Sequence, residues 1–221
     1  MKHLLLASLV ALGTPFAYAE TFDFGCITNN GNGCAALAPQ LSVLVSDAGG
    51  NKVSFTFNNA GPIASSITDV YFEDGTLLGI ASVTNGPGVD FSQGASPGNL
   101  PGGGAATPPF VATAGFTADS NPPTEANGVN PLEFLTITFN LINGKTFADT
   151  IAALTGPLGD GNDLRIGIHV QAIGTAGGSD SLVNTPTPRN PQGQVPEPTS
   201  VLLLGTAFAG VAHLIRKRVA A

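Results

Sequence analysis

Three stretches of this chain alternate strictly between apolar and polar residues, and that alternation constrains its fold more than any other feature. Val53, Phe55 and Phe57 alternate with Ser54, Thr56 and Asn58. Leu135, Ile137, Phe139 and Leu141 alternate with Thr136, Thr138 and Asn140. Leu164, Ile166, Ile168 and Val170 alternate with Arg165, Gly167, His169 and Gln171. Successive side chains of a strand point to opposite faces, so each stretch reads as a strand with one buried and one wet face. Shorter apolar runs at Leu41 to Val45, Ile67 to Phe72, Leu77 to Val83, Val89 to Phe91 and Phe110 to Phe116 are further strand candidates. Between the runs lie turn formers: Ala48-Gly49-Gly50-Asn51, Asp74-Gly75, Asn143-Gly144 and Gly159-Asp160-Gly161-Asn162. A single helical spacing, Phe147, Ile151 and Leu154, stops at Gly156-Pro157. About eight strands with one short helix predict an all-β fold, an antiparallel β-sandwich of jelly-roll or immunoglobulin-like type.

Composition agrees with this and removes other classes. The 221 residues suit one ordinary domain plus termini. With 29 Gly, 17 Pro and only 10% charged residues, the chain lacks the Ala/Glu/Lys/Leu bias of a helical bundle. Eight basic side chains against fifteen acidic ones leave a net charge of −7, the wrong sign for neutralising phosphates, so nucleic acid is excluded as a partner.

The two ends carry addresses. Lys2 and His3 precede an apolar run, Leu4 to Leu12, a break at Gly13 and Pro15, and Ala17-Tyr18-Ala19 before Glu20. Residues 1–19 therefore read as a signal helix for the Sec translocon, with Ala17 and Ala19 at the two small positions that signal peptidase reads. At the other end, Val195-Pro196-Glu197-Pro198 leads into the apolar stretch Val201 to Ile215 and then Arg216-Lys217-Arg218. Fifteen helical residues span about 22 Å, short of the roughly 30 Å hydrocarbon core. Snorkelling basic stems and Thr199 and Ser200 can extend the reach. The basic triplet orients this transmembrane helix with its C-terminus in the cytoplasm and the body outside.

The order Pro-Glu-Pro, short apolar helix, terminal basic cluster resembles the PEP-CTERM sorting signal of Gram-negative bacteria. The resemblance implies recognition by exosortase, a membrane protease, in bacteria that make extracellular polysaccharide. Pro196, Glu197 and Pro198 would be the recognition motif, the helix a temporary inner-membrane anchor, and Arg216, Lys217 and Arg218 the cytoplasmic stop. Two prolines flanking one restricted residue also hold the extended backbone that a protease cleft accepts.

The expected organisation is a signal peptide over 1–19, an exported domain over 20–184, a Pro-rich linker over 185–198 and the sorting helix with its basic tail over 199–221. From Glu20 to Pro198, Lys52, Lys145, Arg165 and Arg189 stand against all fifteen carboxylates, a net of −11. Cys26 and Cys34, in an exported Gly/Asn-rich loop, predict a disulfide. Gly94 to Pro109, with five Gly and four Pro in sixteen residues, predicts a long, mobile surface loop.

Motifs of catalysis are missing: the sequence has no G-x-S-x-G, no H-E-x-x-H, no P-loop and no dinucleotide fingerprint. Asp69, Glu73 and Asp74 read as a solvated strand end rather than as a carboxylate pair facing across a cleft. Asp160, Asn162 and Asp163 offer oxygen ligands for calcium, the one cofactor the sequence suggests, although the EF-hand position for Glu holds Gln171. Arg165, His169 and Gln171 share the wet face of one strand and could present planar donors to a sugar, with an Arg165 ion pair to a neighbouring strand as the competing use. Threonines recur at no fixed period, which argues against the regular arrays that ice-binding faces need. The function expected is non-enzymatic: a cell-surface or matrix component with a structural or interaction role linked to exopolysaccharide. The alternatives are a carbohydrate-binding module or adhesin, calcium-dependent or not, and a secreted hydrolase.

Overall fold

The computed structural model describes residues 18–30, 33–74, 76–159 and 161–189. Most of the signal peptide, Asp160, the Pro-Glu-Pro motif, the apolar stretch and the basic triplet lie outside the described residues. Tyr18–Gly193 forms one compact unit. Among the described residues no helix is long and apolar enough to cross a membrane.

Ten strands build the unit: β1 (Ala19–Cys26), β2 (Leu41–Gly49), β3 (Lys52–Asn59), β4 (Ser66–Asp74), β5 (Leu78–Asn85), β6 (Phe91–Gln93), β7 (Thr117–Ser120), β8 (Phe134–Leu141), β9 (Leu164–Ile173) and β10 (Gly178–Pro188). All pair antiparallel in one sheet of order β5-β8-β3-β2-β1-β10-β9-β4-β7-β6. The sheet curls, because rings from its two halves meet. Phe72 of β4 lies 5.1 Å from Phe55 of β3 and 4.8 Å from Phe139 of β8, and Phe116 lies 5.2 Å from Phe139, all edge-to-face. Such pairs add about 0.5–1.5 kcal/mol each to the area they bury. At the sheet's two edges the Asn85 side chain closes the curl, since its Oδ1 accepts from the Phe91 amide and its Nδ2 donates to the Phe91 carbonyl.

The three strictly alternating stretches are β3, β8 and β9, with their apolar members fully buried. The nine-residue helix Phe147–Thr155 begins with a capping box, Thr146 accepting from the Asp149 amide while Asp149 accepts from Thr146, and ends at Gly156. The β2–β3 turn uses Gly49, Gly50 and Asn51, all with positive φ. Two strands have weak signatures, β1 and β10, and they sit together at the middle of the sheet. β10 runs to Pro188, which pairs with Phe22, so the first residues of the segment read as linker belong to the sheet. Conversely, Phe110 to Phe116 is loop rather than strand, and β7 begins at Thr117. The disulfide Cys26–Cys34 ties the end of β1 to the start of a short helical turn.

Candidate functional site

β4 is buried along nearly its whole length, on both faces. Val70 and Phe72 enter the core, while Asp69, Tyr71 and Glu73 turn to the opposite face, where the Gly/Pro-rich loop lies over them. Leu100 and Phe110 of that loop are 3% and 1% exposed and pack with Tyr71 and Val183. Most of the loop is exposed, as expected of a surface loop, and Leu100 and Phe110 anchor it as a cover over β4. Gly167 permits the close approach, because a Cβ there would stand 2.8 Å from Leu100 and 3.0 Å from Phe110.

Arg165 fastens one end of the cover. Its guanidinium donates to the carbonyls of Pro108 (2.7 Å) and Pro109 (2.8 Å), pairs with Glu73 at 2.5 Å and stands over the Phe110 ring. Burial raises the Glu73 pKa despite the lowering effect of Arg165 beside it. The ion pair with a neighbouring strand is thus present. Arg165, however, is 3% exposed, so it does not share an open face with His169 and Gln171.

A transverse row of polar side chains occupies the other end. Ser181, His169, Asp69, Asp119 and Ser92 are successive cross-strand partners over β10, β9, β4, β7 and β6. His169 Nδ1 lies 3.0 Å from Asp69 Oδ2; because a carboxylate accepts, that nitrogen carries the hydrogen. Gln171 Nε2 touches the same nitrogen at 3.4 Å, a contact rather than a donated bond. A bulge in β4 inserts Thr68, whose hydroxyl donates to Asp69 Oδ2 at 2.9 Å. Asp69 and Asp119 are direct cross-strand partners, and the Asp119 pKa is raised to about 6 by burial first and by the Asp69 charge second. The Tyr71 hydroxyl donates to the Pro97 carbonyl of the cover at 3.1 Å, and its pKa stands above the ordinary tyrosine value through burial and the two facing carboxyls. The Ser96 amide of the cover acts in the opposite sense, lowering the Asp119 pKa. This row places two carboxyls side by side beneath the cover, which Tyr71 fastens through Pro97.

The reading of Asp69, Glu73 and Asp74 as a solvated turn is also corrected. Asp69 and Asp74 are buried, and Asp74 accepts from the amides of Leu77 and Leu78. Asp119, the member that completes the row, went unnoticed in the sequence. Its signal is only its outward place two residues from Thr117 in a four-residue strand, too short to show a period.

Asn162 and Asp163 line a cleft of about 210 Å³ with Asp74, Asp149 and Lys145. Asp163 accepts from the Gly159 amide and lies 3.9 Å from Arg165 Nε, while Asp149 caps its helix. Among the described residues no three His, Cys, Asp or Glu side chains converge as metal ligands. Of the signal-cleavage residues, Ala19 opens β1, paired with Ser46, and the Tyr18 carbonyl accepts from the Asp47 amide.

No family model matches the chain, and neither the curated proteins nor the solved structures give a match.

Proposed function

We propose that this protein is an exported β-sandwich, sorted through its C-terminal PEP-CTERM-like signal, cleaved by exosortase and delivered to the cell surface or the extracellular matrix, where it acts as a structural or interaction component rather than an enzyme. One observation carries the reading. In sequence, the buried apolar residues run from Phe22 to Val183, so signal-peptidase cleavage after Ala19 and processing at Pro196 to Pro198 leave the core whole. Removal of the signal peptide forfeits the Ala19–Ser46 pairing and one amide bond, a loss confined to the end of β1. The closed disulfide supports passage through an oxidising compartment.

Intact mass and compartment, compared between a producing strain and one lacking exosortase, test the proposal. Loss of both ends with release only when exosortase is present is the expected result. A complete C-terminus held in the membrane of both strains would make the tail an ordinary anchor and refute the sorting reading.

A further inference from the structure

The outward face of the β1, β2, β3, β8, β5 half differs in kind from the covered face of β4 and β9. Continuous register stacks its residues into rows. Ser46, Ser54, Thr138 and Ser82 form one row, continued by Ala19; Thr21, Thr56, Thr136 and Thr84 form the next, interrupted only by Leu44. These side chains are half-exposed or exposed. Neighbouring strands lie about 4.8 Å apart, and same-face residues recur about every 6.8 Å along a strand, so the hydroxyls occupy a two-dimensional grid. Two pairs are bonded to each other across β3 and β8, Ser54 to Thr138 at 2.8 Å and Thr56 to Thr136 at 2.9 Å, which holds their orientation.

Neither row contains a charged residue. In a body of net charge −11, that leaves one broad surface able to approach another without like-charge repulsion. Charges appear only beyond the rows, as Lys52 at one end and Asp23, paired with Arg189, at the other. Past the Thr56–Thr136 row, Asn58 stands opposite Phe134, whose ring is 39% exposed beside Gly86. The face therefore combines ordered hydroxyls, each both donor and acceptor, with an amide and an aromatic plate at one edge.

The geometry points to this hydroxyl grid as a binding face for a neutral, extended polysaccharide, its sugar hydroxyls exchanging hydrogen bonds with Thr56, Thr136, Ser54 and Thr138 and one sugar ring resting on Phe134. The inference deepens the matrix reading, on which it rests, and moves the glycan contact away from the covered Arg165 and His169. It also corrects the argument from threonine periodicity. The array is assembled across strands distant in sequence, so no period along the chain reveals it.

Cosedimentation of the purified full-length chain with microcrystalline cellulose, a neutral glycan, and with calcium-gelled alginate, an anionic one, tests the face. It fails separately from the processing experiment because it requires no cell. The wild-type chain is expected on cellulose and not on alginate. Thr56→Val with Thr136→Val, which removes a bonded pair together and leaves no orphaned hydroxyl, should lower the bound fraction about threefold, and adding Phe134→Ala more than fivefold. Thr56→Ser with Thr136→Ser should retain binding. Wild-type absence from cellulose, equal binding by the valine variants, or equal retention on alginate would overturn the inference. So would slowing of ice growth lost through the same substitutions, which would assign the grid to a water lattice.

Discussion

Replacing Arg165 by Ala should be the most damaging polar substitution in this protein, because it strips the cover of its fastening and orphans a half-buried acid in one step. The guanidinium is 3% exposed and makes two charged hydrogen bonds to the Pro108 and Pro109 carbonyls, besides pairing with Glu73, whose side chain is 19% exposed. Charged hydrogen bonds contribute about 1.5–3 kcal/mol each, and removing one partner of a buried pair costs about 3–5 kcal/mol. Because these contributions overlap, the expected loss is about 4 kcal/mol, a large part of the roughly 5–15 kcal/mol that holds a domain folded. Urea denaturation followed by circular dichroism measures it, and hydrogen exchange should show residues 94–113 losing protection before the core does. A double cycle isolates the pair: Arg165→Met with Glu73→Gln should cost less than the sum of the single changes by about 1–3 kcal/mol, since neither partner is then left charged alone. A loss under about 1 kcal/mol for Arg165→Ala, or additivity within about 0.5 kcal/mol in the cycle, would refute the reasoning and leave the loop held by its apolar contacts alone.

Three further outcomes are expected. Asp119 keeps its proton in the folded protein up to about pH 6, whereas the unfolded chain releases it near 3.8. Between those values the native state binds more protons, so Asp119's contribution to stability should fall as pH rises through the window; thermal midpoints should show that slope flattened in Asp119→Asn. Replacing Cys26 and Cys34 together by Ala opens a nine-residue loop, and loop-closure entropy sets the cost at about 2.6 kcal/mol, measurable as a lower urea midpoint at an unchanged slope. Gly167→Val would drive its side chain into Leu100 and Phe110, so proteolysis within 94–113 should accelerate while the disulfide and the core strands persist.

How much was legible in the chain follows from the range of each signal. β3, β8 and β9 declared themselves because each buries one face against a continuous core, which forces strict alternation over six to eight residues. β10 did not. It lies at the centre of the sheet yet carries Ser, Asp, Asn and Thr among its residues, because Asn184 is used to accept from the Ile166 amide and Asp180 to accept from the Asn30 amide and the Thr28 hydroxyl. Those polar positions break the alternation, and the partners of Asp180 lie some 150 residues away along the chain. The carboxylates followed the same logic. Asp69 and Asp74 look like turn residues in order of sequence, but both are buried in the folded protein.

What the sequence determined by itself was local: the strand class, the turn positions, the helical spacing of Phe147, Ile151 and Leu154, and the Cys26–Cys34 bridge. Each depends on residues near one another along the chain, where backbone preferences and side-chain alternation act without reference to the rest of the fold. The tertiary structure decided which faces are covered. It laid Leu100 and Phe110 over Gly167, brought Asp119 against Asp69, and aligned threonines from separate strands into one hydroxyl grid. The physical reason is that register and curl are set by burying one shared core. A residue's outward neighbours are then fixed by strands it meets only in the folded state.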